Sequence, residues 1–81
     1  MRTAEILALA GVTREWCGQR VRRRWEAWAR EQPDVAEHPS WTRPWVALDE
    51  RDREADRLIG EDLFRAGWEA RGRHDGDGGP R

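Results

Sequence analysis

The sequence predicts an all-α protein, a small domain in which two main helices pack antiparallel and a short N-terminal helix completes the fold. Two segments, about residues 14–31 and 50–66, repeat apolar residues at spacings of three and four, which is typical of amphipathic helices. Thr13 and Asp49 stand before these segments as favourable N-cap residues. A loop rich in proline and tryptophan, residues 33–47, is predicted to connect the two main helices.

A glycine turn separates the first two predicted helices. Thr3 is expected to cap a helix that runs to about Ala10, and Gly11 is expected to end it. The second helix stops before Pro33, because the residue preceding a proline avoids the α-helical region. Its apolar face is predicted to consist of Cys17, Val21, Trp25 and Trp28.

The third predicted helix ends at about Ala66, with Gly67 as its C′ residue and Trp68 as the accompanying hydrophobic contact. Residues 1–71 are therefore expected to form a single domain, and the glycine-rich residues 72–81 to form a disordered tail. The apolar face of this helix, expected to pack against the second helix, consists of Ala55, Leu58, Ile59, Leu63 and Ala66.

Composition narrows the choice of function. With 81 residues, 37% of them hydrophobic and 38% charged, the chain is near the lower size limit for one core, which its six tryptophans help to fill. The net charge of −1 gives no overall attraction to nucleic acid or membranes, although residues 1–32 are net positive and residues 33–81 net negative. All 15 basic residues are arginine, which indicates a GC-rich coding sequence from an actinobacterium or its phage.

Several classes of protein are not expected. The single cysteine, Cys17, excludes an internal disulfide and a cysteine-based zinc site, and its place on an apolar face predicts burial. No apolar run approaches the roughly 18 residues of a membrane span and no secretory segment is found, so a cytoplasmic location is expected. There is no nucleophile motif or phosphate loop, and His38 and His74 lack partners at metal-ligand spacing. We therefore expect no enzymatic activity, no cofactor and no metal site.

Residues 10–13 read Ala-Gly-Val-Thr, with Ile6 and Cys17 as hydrophobic residues on either side. This pattern resembles the helix-turn-helix of bacterial repressors over residues 3–21. The resemblance implies that the second helix enters the major groove of DNA, and the alternative is a helical hairpin with a glycine turn. The side chains that would face the groove are Thr13, Arg14, Glu15, Gln19 and Arg20.

Arginine is concentrated on the second predicted helix. At 3.6 residues per turn these side chains spread around three sides, which is typical of a solvated face. The alternative is a phosphate-binding surface for nucleic acid or a nucleotide ligand, and DNA binding would then depend on Arg20 and Arg23. The arginines of this helix are Arg14, Arg20, Arg22, Arg23, Arg24 and Arg30.

The connecting loop contains a His-Pro pair, a Pro-Trp pair and a leucine three residues further on, and a charged helix follows. This pattern resembles the RyR domain, the small helical repeat of ryanodine receptors that also occurs in bacteria and phages, over residues 17–68. The resemblance implies a non-enzymatic module that senses a nucleotide-derived or phosphorylated ligand. The matching residues are Trp25, Trp28, His38, Pro39, Pro44, Trp45, Leu48, Arg53, Leu63 and Gly67.

The aromatic residues of the loop have two expected roles. Trp41 is expected to expose a stacking surface, with Arg43 beside it to bind an anion. A structural role is expected for Trp45, Leu48 and Trp28, which would fill the gap between the long helices. The predicted ligand-binding residues are Trp41, Arg43, Trp45, Arg53 and Arg57.

The leading hypothesis is a small cytoplasmic module that binds a nucleotide-like ligand or a host protein, and the alternative is a helix-turn-helix DNA-binding regulator. A homodimer is favoured over a monomer, because six tryptophans are difficult to bury in so short a chain. Trp16 or Trp41 is expected at the centre of its interface, since tryptophan is enriched among energetic anchors. The opposite charges of the two halves of the chain would also favour this association.

Overall fold

The computed structural model describes residues 1–77, and within that range it contains three α-helices and no strand. This confirms the predicted all-α fold. The helices are α1 (Thr3–Ala10), α2 (Arg14–Arg30) and α3 (Glu50–Asp77). Between α2 and α3 the chain forms three short 3₁₀ turns, Val35–Glu37, Pro39–Thr42 and Trp45–Ala47. None of the helices in residues 1–77 has the length and apolarity needed to span a bilayer.

The N-caps predicted for the two main helices are confirmed. The backbone N–H of Trp16 donates to Thr13 Oγ1 at 3.0 Å at the start of α2. The backbone N–H of Asp52 donates to Asp49 Oδ1 at 2.9 Å at the start of α3. Each side chain thereby satisfies a backbone donor that has no partner within the helix.

The N-terminal helix begins differently from the prediction. Thr3 is the first residue of α1, and no side chain caps the helix. The hydroxyl of Thr3 instead accepts a hydrogen bond from Arg65 Nη1 at 2.9 Å, so it ties α1 to α3. Gly11 ends α1 as predicted, with a left-handed φ of 70° that favours glycine. The apolar side of α1 buries Ile6 and Leu7.

The buried apolar core is small. Cys17 is buried as predicted, and Leu48 anchors the end of the connecting loop. Trp45 is half-buried against α2 and α3, so its predicted place between the long helices is confirmed. The buried hydrophobic residues are Ile6, Leu7, Cys17, Ala29 and Leu48.

Two glycines allow α2 and α3 to come into close contact. A Cβ atom at Gly60 would lie 2.6 Å from the carbonyl carbon of Cys17, so the α3 backbone rests directly on α2. A Cβ atom at Gly18 would lie 2.6 Å from Cη2 of Trp45 and 3.1 Å from Cγ of Arg57. The missing side chain of Gly18 thus makes room for both neighbours.

Around Asp56 and Arg57 the face of α3 that packs on α2 is polar, and the prediction of an apolar contact face is wrong there. Asp56, Arg57 and Gly60 are buried, whereas Leu58 is 55% exposed and Leu63 63% exposed. The reason is that glycine permits close backbone contact on one side of α3, and the charged residues beside it find partners on α2. The residues of the predicted contact face, all exposed, are Ala55, Leu58, Ile59, Leu63 and Ala66.

The predicted end of the third helix is also wrong, because α3 continues through Gly67 to Asp77. Gly67 keeps a right-handed backbone and therefore is not a C′ residue. An ion pair between Arg65 and Glu69, at 3.4 Å, spans the glycine and supports the helix across it. The tail predicted from residue 72 thus overlaps α3 as far as Asp77, and residues 78–81 lie outside the described residues.

Substituting Gly60 and Gly67, both within α3, should have opposite effects. We expect Gly60→Ala to lower the melting temperature by about 5–15 °C, since overpacking costs roughly 1–3 kcal/mol and each kcal/mol shifts a domain of this size by about 4–8 °C. Gly67→Ala meets no atom within 4 Å. It should raise the melting temperature by a few degrees, because alanine favours a helix interior by about 0.5–1 kcal/mol. Thermal unfolding followed by circular dichroism provides the measurement.

The two variants act as controls for each other, since both replace a glycine of the same helix by alanine. A destabilised Gly67→Ala protein would contradict the continuous helix, because a left-handed C′ glycine does not tolerate alanine without strain. A Gly60→Ala protein as stable as the parent would contradict the close contact between α2 and α3.

Candidate ligand-binding groove

A groove of about 660 Å³ lies between α2 and α3. Its walls come from residues spaced four apart on each helix, Trp16, Arg20 and Arg24 on α2 and Phe64 and Trp68 on α3. Residues at this spacing share one side of a helix, so both helices turn a mixed aromatic and basic surface toward the same space. The groove is open to solvent and within the size range of small-molecule sites, about 300–1,000 Å³.

The aromatic wall is fixed by contacts between the two helices. The rings of Trp16 and Phe64 meet edge to face, with centroids 6.2 Å apart. Arg20 lies over the Trp16 ring at 5.0 Å from its centroid, a cation–π contact that holds the guanidinium at the rim. Trp68 completes the wall one turn after Phe64. An entering planar group therefore meets aromatic faces that are already in position.

The groove has a positive rim without a compensating negative charge. Arg20, Arg24 and Arg71 line it, and no carboxylate does. Within residues 1–72 these three arginines form no ion pair. Guanidinium groups bind phosphate and carboxylate oxygens through paired N–H donors, so the rim suits an anionic ligand.

The thiol at the base of the groove is shielded from solvent. Cys17 lines the groove but is buried. Burial raises the pKa of its thiol, and the nearby negative charge of Glu61 raises that pKa further. The reactive species of cysteine is the thiolate, and this environment disfavours it. The raised pKa therefore disfavours Cys17 as a nucleophile. The groove is suited to binding.

The sequence-predicted ligand residues lie elsewhere, and none of them lines this groove. Trp41 is half-buried and stacks on His38, with ring centroids 3.9 Å apart and planes within 11°. Its other neighbour is Trp28, at a centroid distance of 5.5 Å. Arg43 is exposed beside this cluster. One face of Trp41 is thus occupied by the protein itself.

The sequence predicts that Trp28 fills the gap between the long helices, and the structure shows that it does not. Its ring lies 5.0 Å from that of Trp25 and it is 39% exposed. Trp25 also meets Trp41 edge to face at 6.5 Å. The contacts among these three tryptophans therefore hold the connecting loop against the end of α2. That loop needs such an anchor, because its 3₁₀ turns contribute no buried side chain of their own.

Arg57, a second predicted ligand residue, is held by carboxylates. Its Nε donates to Glu15 at 2.5 Å, and its Nη1 donates to Glu50 at 2.6 Å and to Glu54 at 2.9 Å. These hydrogen bonds, that of Glu50 above all, raise the pKa of the guanidinium above its ordinary value. The Trp45 ring covers Arg57 at 5.6 Å. The charge of Arg57 is therefore compensated inside the fold.

The last predicted ligand residue, Arg53, lies on the adjacent turn of α3. Its Nε is 3.4 Å from a carboxylate oxygen of Glu50, close enough for an ion pair. The geometry is not that of a hydrogen bond, and this buried nitrogen has no hydrogen-bond partner. The ion pair of Arg53 therefore lies within the first turns of α3.

The residues predicted to contact DNA also have structural roles. Thr13 caps α2. Arg14 donates to Glu54 at 2.7 Å and also to Glu61, and these hydrogen bonds raise the pKa of its guanidinium. Glu15 binds Arg57. The start of α2, which a helix-turn-helix would present to the bases, is thus bonded to α3.

The later candidates on α2 are more available. Gln19 is half-buried, and Arg20 belongs to the groove rim. Arg23 is exposed, and within residues 1–72 it forms no ion pair. Sequence reasoning grouped Arg20 and Arg23 together, but the structure places only Arg20 at the groove.

His38 has acidic neighbours that the sequence spacing did not reveal. Its Nε2 lies 3.4 Å from Asp34 Oδ2. Potential ligand atoms of Asp34, Glu37 and His38 all lie within 4.8 Å of one another. The expectation that His38 lacks partners at metal-ligand spacing is therefore wrong, because the 3₁₀ turn brings residues three and four apart together.

Three groove residues were missed by sequence reasoning, namely Phe64, Trp68 and Arg71, whereas Arg24 belongs to the alternative phosphate-binding surface considered from the sequence. The helix was expected to end at Ala66, so Trp68 and Arg71 were not placed on the same face as Phe64. The spacing of four between Phe64 and Trp68, matched by Trp16 and Arg20 on α2, was the signal that could have indicated them.

Comparison with protein-family models, with curated proteins and with solved structures gives no match. The resemblances to the RyR domain and to the helix-turn-helix thus remain predictions from the sequence.

Acid should weaken the charged contact between α2 and α3. Hydrogen bonds from Arg57 lower the pKa of Glu50, and hydrogen bonds from Arg14 and then Arg57 lower that of Glu54. A carboxyl group with a lowered folded-state pKa stabilises the fold fully above its unfolded-state pKa of about 4.3 and loses this contribution as the pH falls through the folded-state pKa. We expect the melting temperature to be constant at neutral pH and to fall below about pH 5.

Glu54→Gln supplies the test of this assignment. It should melt at a lower temperature than the parent at pH 7 and show a shallower loss below about pH 5, because one of the titrating groups is gone. Glu31→Gln, which removes an exposed carboxylate that forms no ion pair within residues 1–72, is the matched control and should keep the parent's pH dependence. Identical acid profiles for the parent and Glu54→Gln would contradict the assignment.

Proposed function

We propose that this chain is a non-enzymatic binding module that holds a phosphorylated or nucleotide-like ligand in the groove between α2 and α3. The observation that carries the proposal is the combination of aromatic walls with three arginines that have no carboxylate beside them in the lining. Such a combination fits a ligand with a flat apolar part and an anionic part. Nucleotides and related phosphorylated compounds have both.

The two parts of the groove divide the recognition between them. A planar ring would stack between Trp16 and Trp68, where base–aromatic stacking contributes about 1–3 kcal/mol. The phosphate would meet Arg20, Arg24 and Arg71, whose charged hydrogen bonds contribute about 1.5–3 kcal/mol each. Neither part requires the helices to move, since the groove is present without a ligand.

The proposal keeps the ligand class suggested by the RyR-like pattern and changes the site. Arg57, Arg53 and Trp45 are engaged inside the fold, which favours the groove over the residues predicted from the sequence. The same proposal includes three points that rest on the sequence alone. The ligand has a host protein as its alternative, the chain comes from a phage or an actinobacterium, and the protein is located in the cytoplasm. A role in DNA binding remains the alternative, supported by the exposed Arg23 on α2.

Nucleotide titrations should locate the site. We expect isothermal titration calorimetry with a panel of nucleoside mono-, di- and triphosphates to detect binding by at least one member. Arg24→Ala and Arg71→Ala should each weaken it about 10-fold or more, because each removes a charge-assisted contact. Arg23→Ala is the matched control, since this arginine is exposed on the same helix but does not line the groove. It should bind as the parent does.

Other outcomes would redirect or refute the proposal. Loss of nucleotide binding in Trp41→Ala or Arg43→Ala, with Arg24→Ala unaffected, would return the site to the loop. A duplex DNA mobility shift that is lost in Arg23→Ala and weakens steeply with salt would support the DNA-binding alternative. No binding of any panel member at millimolar concentration would refute the proposal.

A further inference from the structure

Three side chains with metal-binding atoms meet where the connecting loop leaves α2. Asp34, Glu37 and His38 each offer one such atom, and the three atoms all lie within 4.8 Å of one another. Nε2 of His38 is 3.4 Å from Oδ2 of Asp34. Two ligands bonded at about 2.1 Å to a tetrahedral zinc ion are about 3.4 Å apart. The histidine and the aspartate therefore already have the spacing of two ligands of one ion.

We propose that Asp34, Glu37 and His38 bind a divalent transition-metal ion, and that Zn²⁺ is the ion this donor set fits. Zn²⁺ accepts both imidazole nitrogen and carboxylate oxygen as ligands. Mg²⁺ and Ca²⁺ prefer oxygen ligands alone, so the imidazole disfavours them. Water completes the coordination, since the side chains of Asp34 and His38 are 47% and 43% exposed.

The backbone of the first 3₁₀ turn, Val35–Glu37, keeps the three ligands together. The N–H of Glu37 donates to the carbonyl of Asp34 at 3.0 Å, and the N–H of His38 donates to the carbonyl of Val35 at 3.0 Å. Side chains three and four residues apart are thereby placed on one side of the turn. Glu37 is exposed, so rotation of its long side chain can bring the carboxylate to the ion without a backbone movement.

The imidazole of His38 is held in position by an aromatic neighbour. Its ring stacks on Trp41 with centroids 3.9 Å apart and planes within 11°. The backbone N–H of Trp41 also donates to the carbonyl of His38 at 2.9 Å. Contact through the face of the ring leaves the edge, which carries both nitrogens, available to a ligand. A side chain that is fixed before binding loses less conformational entropy when the ion binds.

No arginine compensates the two carboxylates, although the chain contains 15 basic residues and all are arginine. Glu54, by contrast, pairs with Arg14 and Arg57. Within residues 1–72 the ion-pair partner of Asp34 is His38, and Glu37 has none. Two carboxylates thus lie close together with their charge available, and a divalent cation compensates both.

A bound ion would strengthen the attachment of the connecting loop. It would join Asp34, which follows α2, to His38 and thereby to the Trp41 ring. Trp41 in turn contacts Trp25 and Trp28 on α2. Because an ion held by the folded chain stabilises the fold, its role here is structural. None of the three ligands lines the groove, so this proposal is independent of nucleotide binding.

Zinc titration of the metal-free, untagged chain gives the first test. Isothermal titration calorimetry with ZnCl₂ should detect one ion per chain. Asp34→Asn and His38→Gln should each weaken binding about 10-fold or more, because each removes a ligand. The matched controls are Asp62→Asn, an exposed aspartate outside the cluster, and His74→Gln, which replaces the other histidine of the chain. Both controls should bind as the parent does.

Tryptophan fluorescence locates the ion. Ni²⁺ binds the same kinds of ligand and quenches nearby indoles, so it should give saturable quenching in the parent that Asp34→Asn abolishes. Trp41→Phe keeps an aromatic ring on His38 and should reduce the amplitude of quenching without changing its midpoint. Mg²⁺ at the same concentration should cause no quenching. Circular dichroism of each metal-free variant should match the parent, which separates loss of the site from loss of the fold.

Three outcomes would overturn the proposal. The first is a parent that binds no Zn²⁺ at millimolar concentration. The second is Zn²⁺ binding that His74→Gln abolishes and His38→Gln leaves intact. The third is Ni²⁺ quenching that is equal in the parent and in folded Asp34→Asn.

Discussion

The close contact between α2 and α3 is the constraint on which the rest of the structure depends. Gly60 brings the backbone of α3 onto Cys17, and Gly18 leaves room on the opposing helix for Trp45 and Arg57. Because these contacts admit no larger side chain, they fix the rotation of α3 about its own axis. The charged residues next to Gly60 then point at α2, and the aliphatic residues on the other side point away. The groove and the ion pairs are both consequences of that one rotation.

The same contact divides the arginines into two populations. Arg14, Arg22 and Arg57 lie between the helices and are paired with carboxylates, the pair of Arg22 with Asp56 being 3.1 Å long and largely shielded from solvent. Arginines along the groove, such as Arg24 and Arg71, have no such partner among the described side chains. A buried ion pair loses the hydration of both ions, so its carboxylates are committed to the fold. Of these two groups, only the arginines along the groove keep their charge available for an external anion. The net charge of −1 counts all arginines alike, and therefore does not reveal the basic groove.

Aromatic residues compensate for a core that is poor in aliphatic side chains. Trp45 lies against the glycine of α2, and Trp25, Trp28 and Trp41 hold the connecting loop on the end of that helix. Tryptophan buries a large area from a half-exposed position, so a few rings can fix a loop that has no regular hydrogen-bond ladder. Trp16 and Trp68 are left for the groove. The six tryptophans thus serve three separate purposes, and their number by itself does not indicate a binding site.

The sequence by itself determined the helical fold class, the start of α2 and α3, the turn at Gly11 and the burial of Cys17, because caps, glycine turns and apolar periodicity act within a few residues. Only the tertiary structure decided which face of α3 is buried. The periodicity of Leu58, Ile59 and Leu63 indicates an apolar face but not what covers it, and close contact at Gly60 outweighed it. Predicting the groove also requires knowing which face of α3 is buried, and knowing that α3 continues past Gly67. A glycine in a predicted helix can either end the helix or allow another segment to pack closely against it, and the surrounding chain decides which of the two occurs.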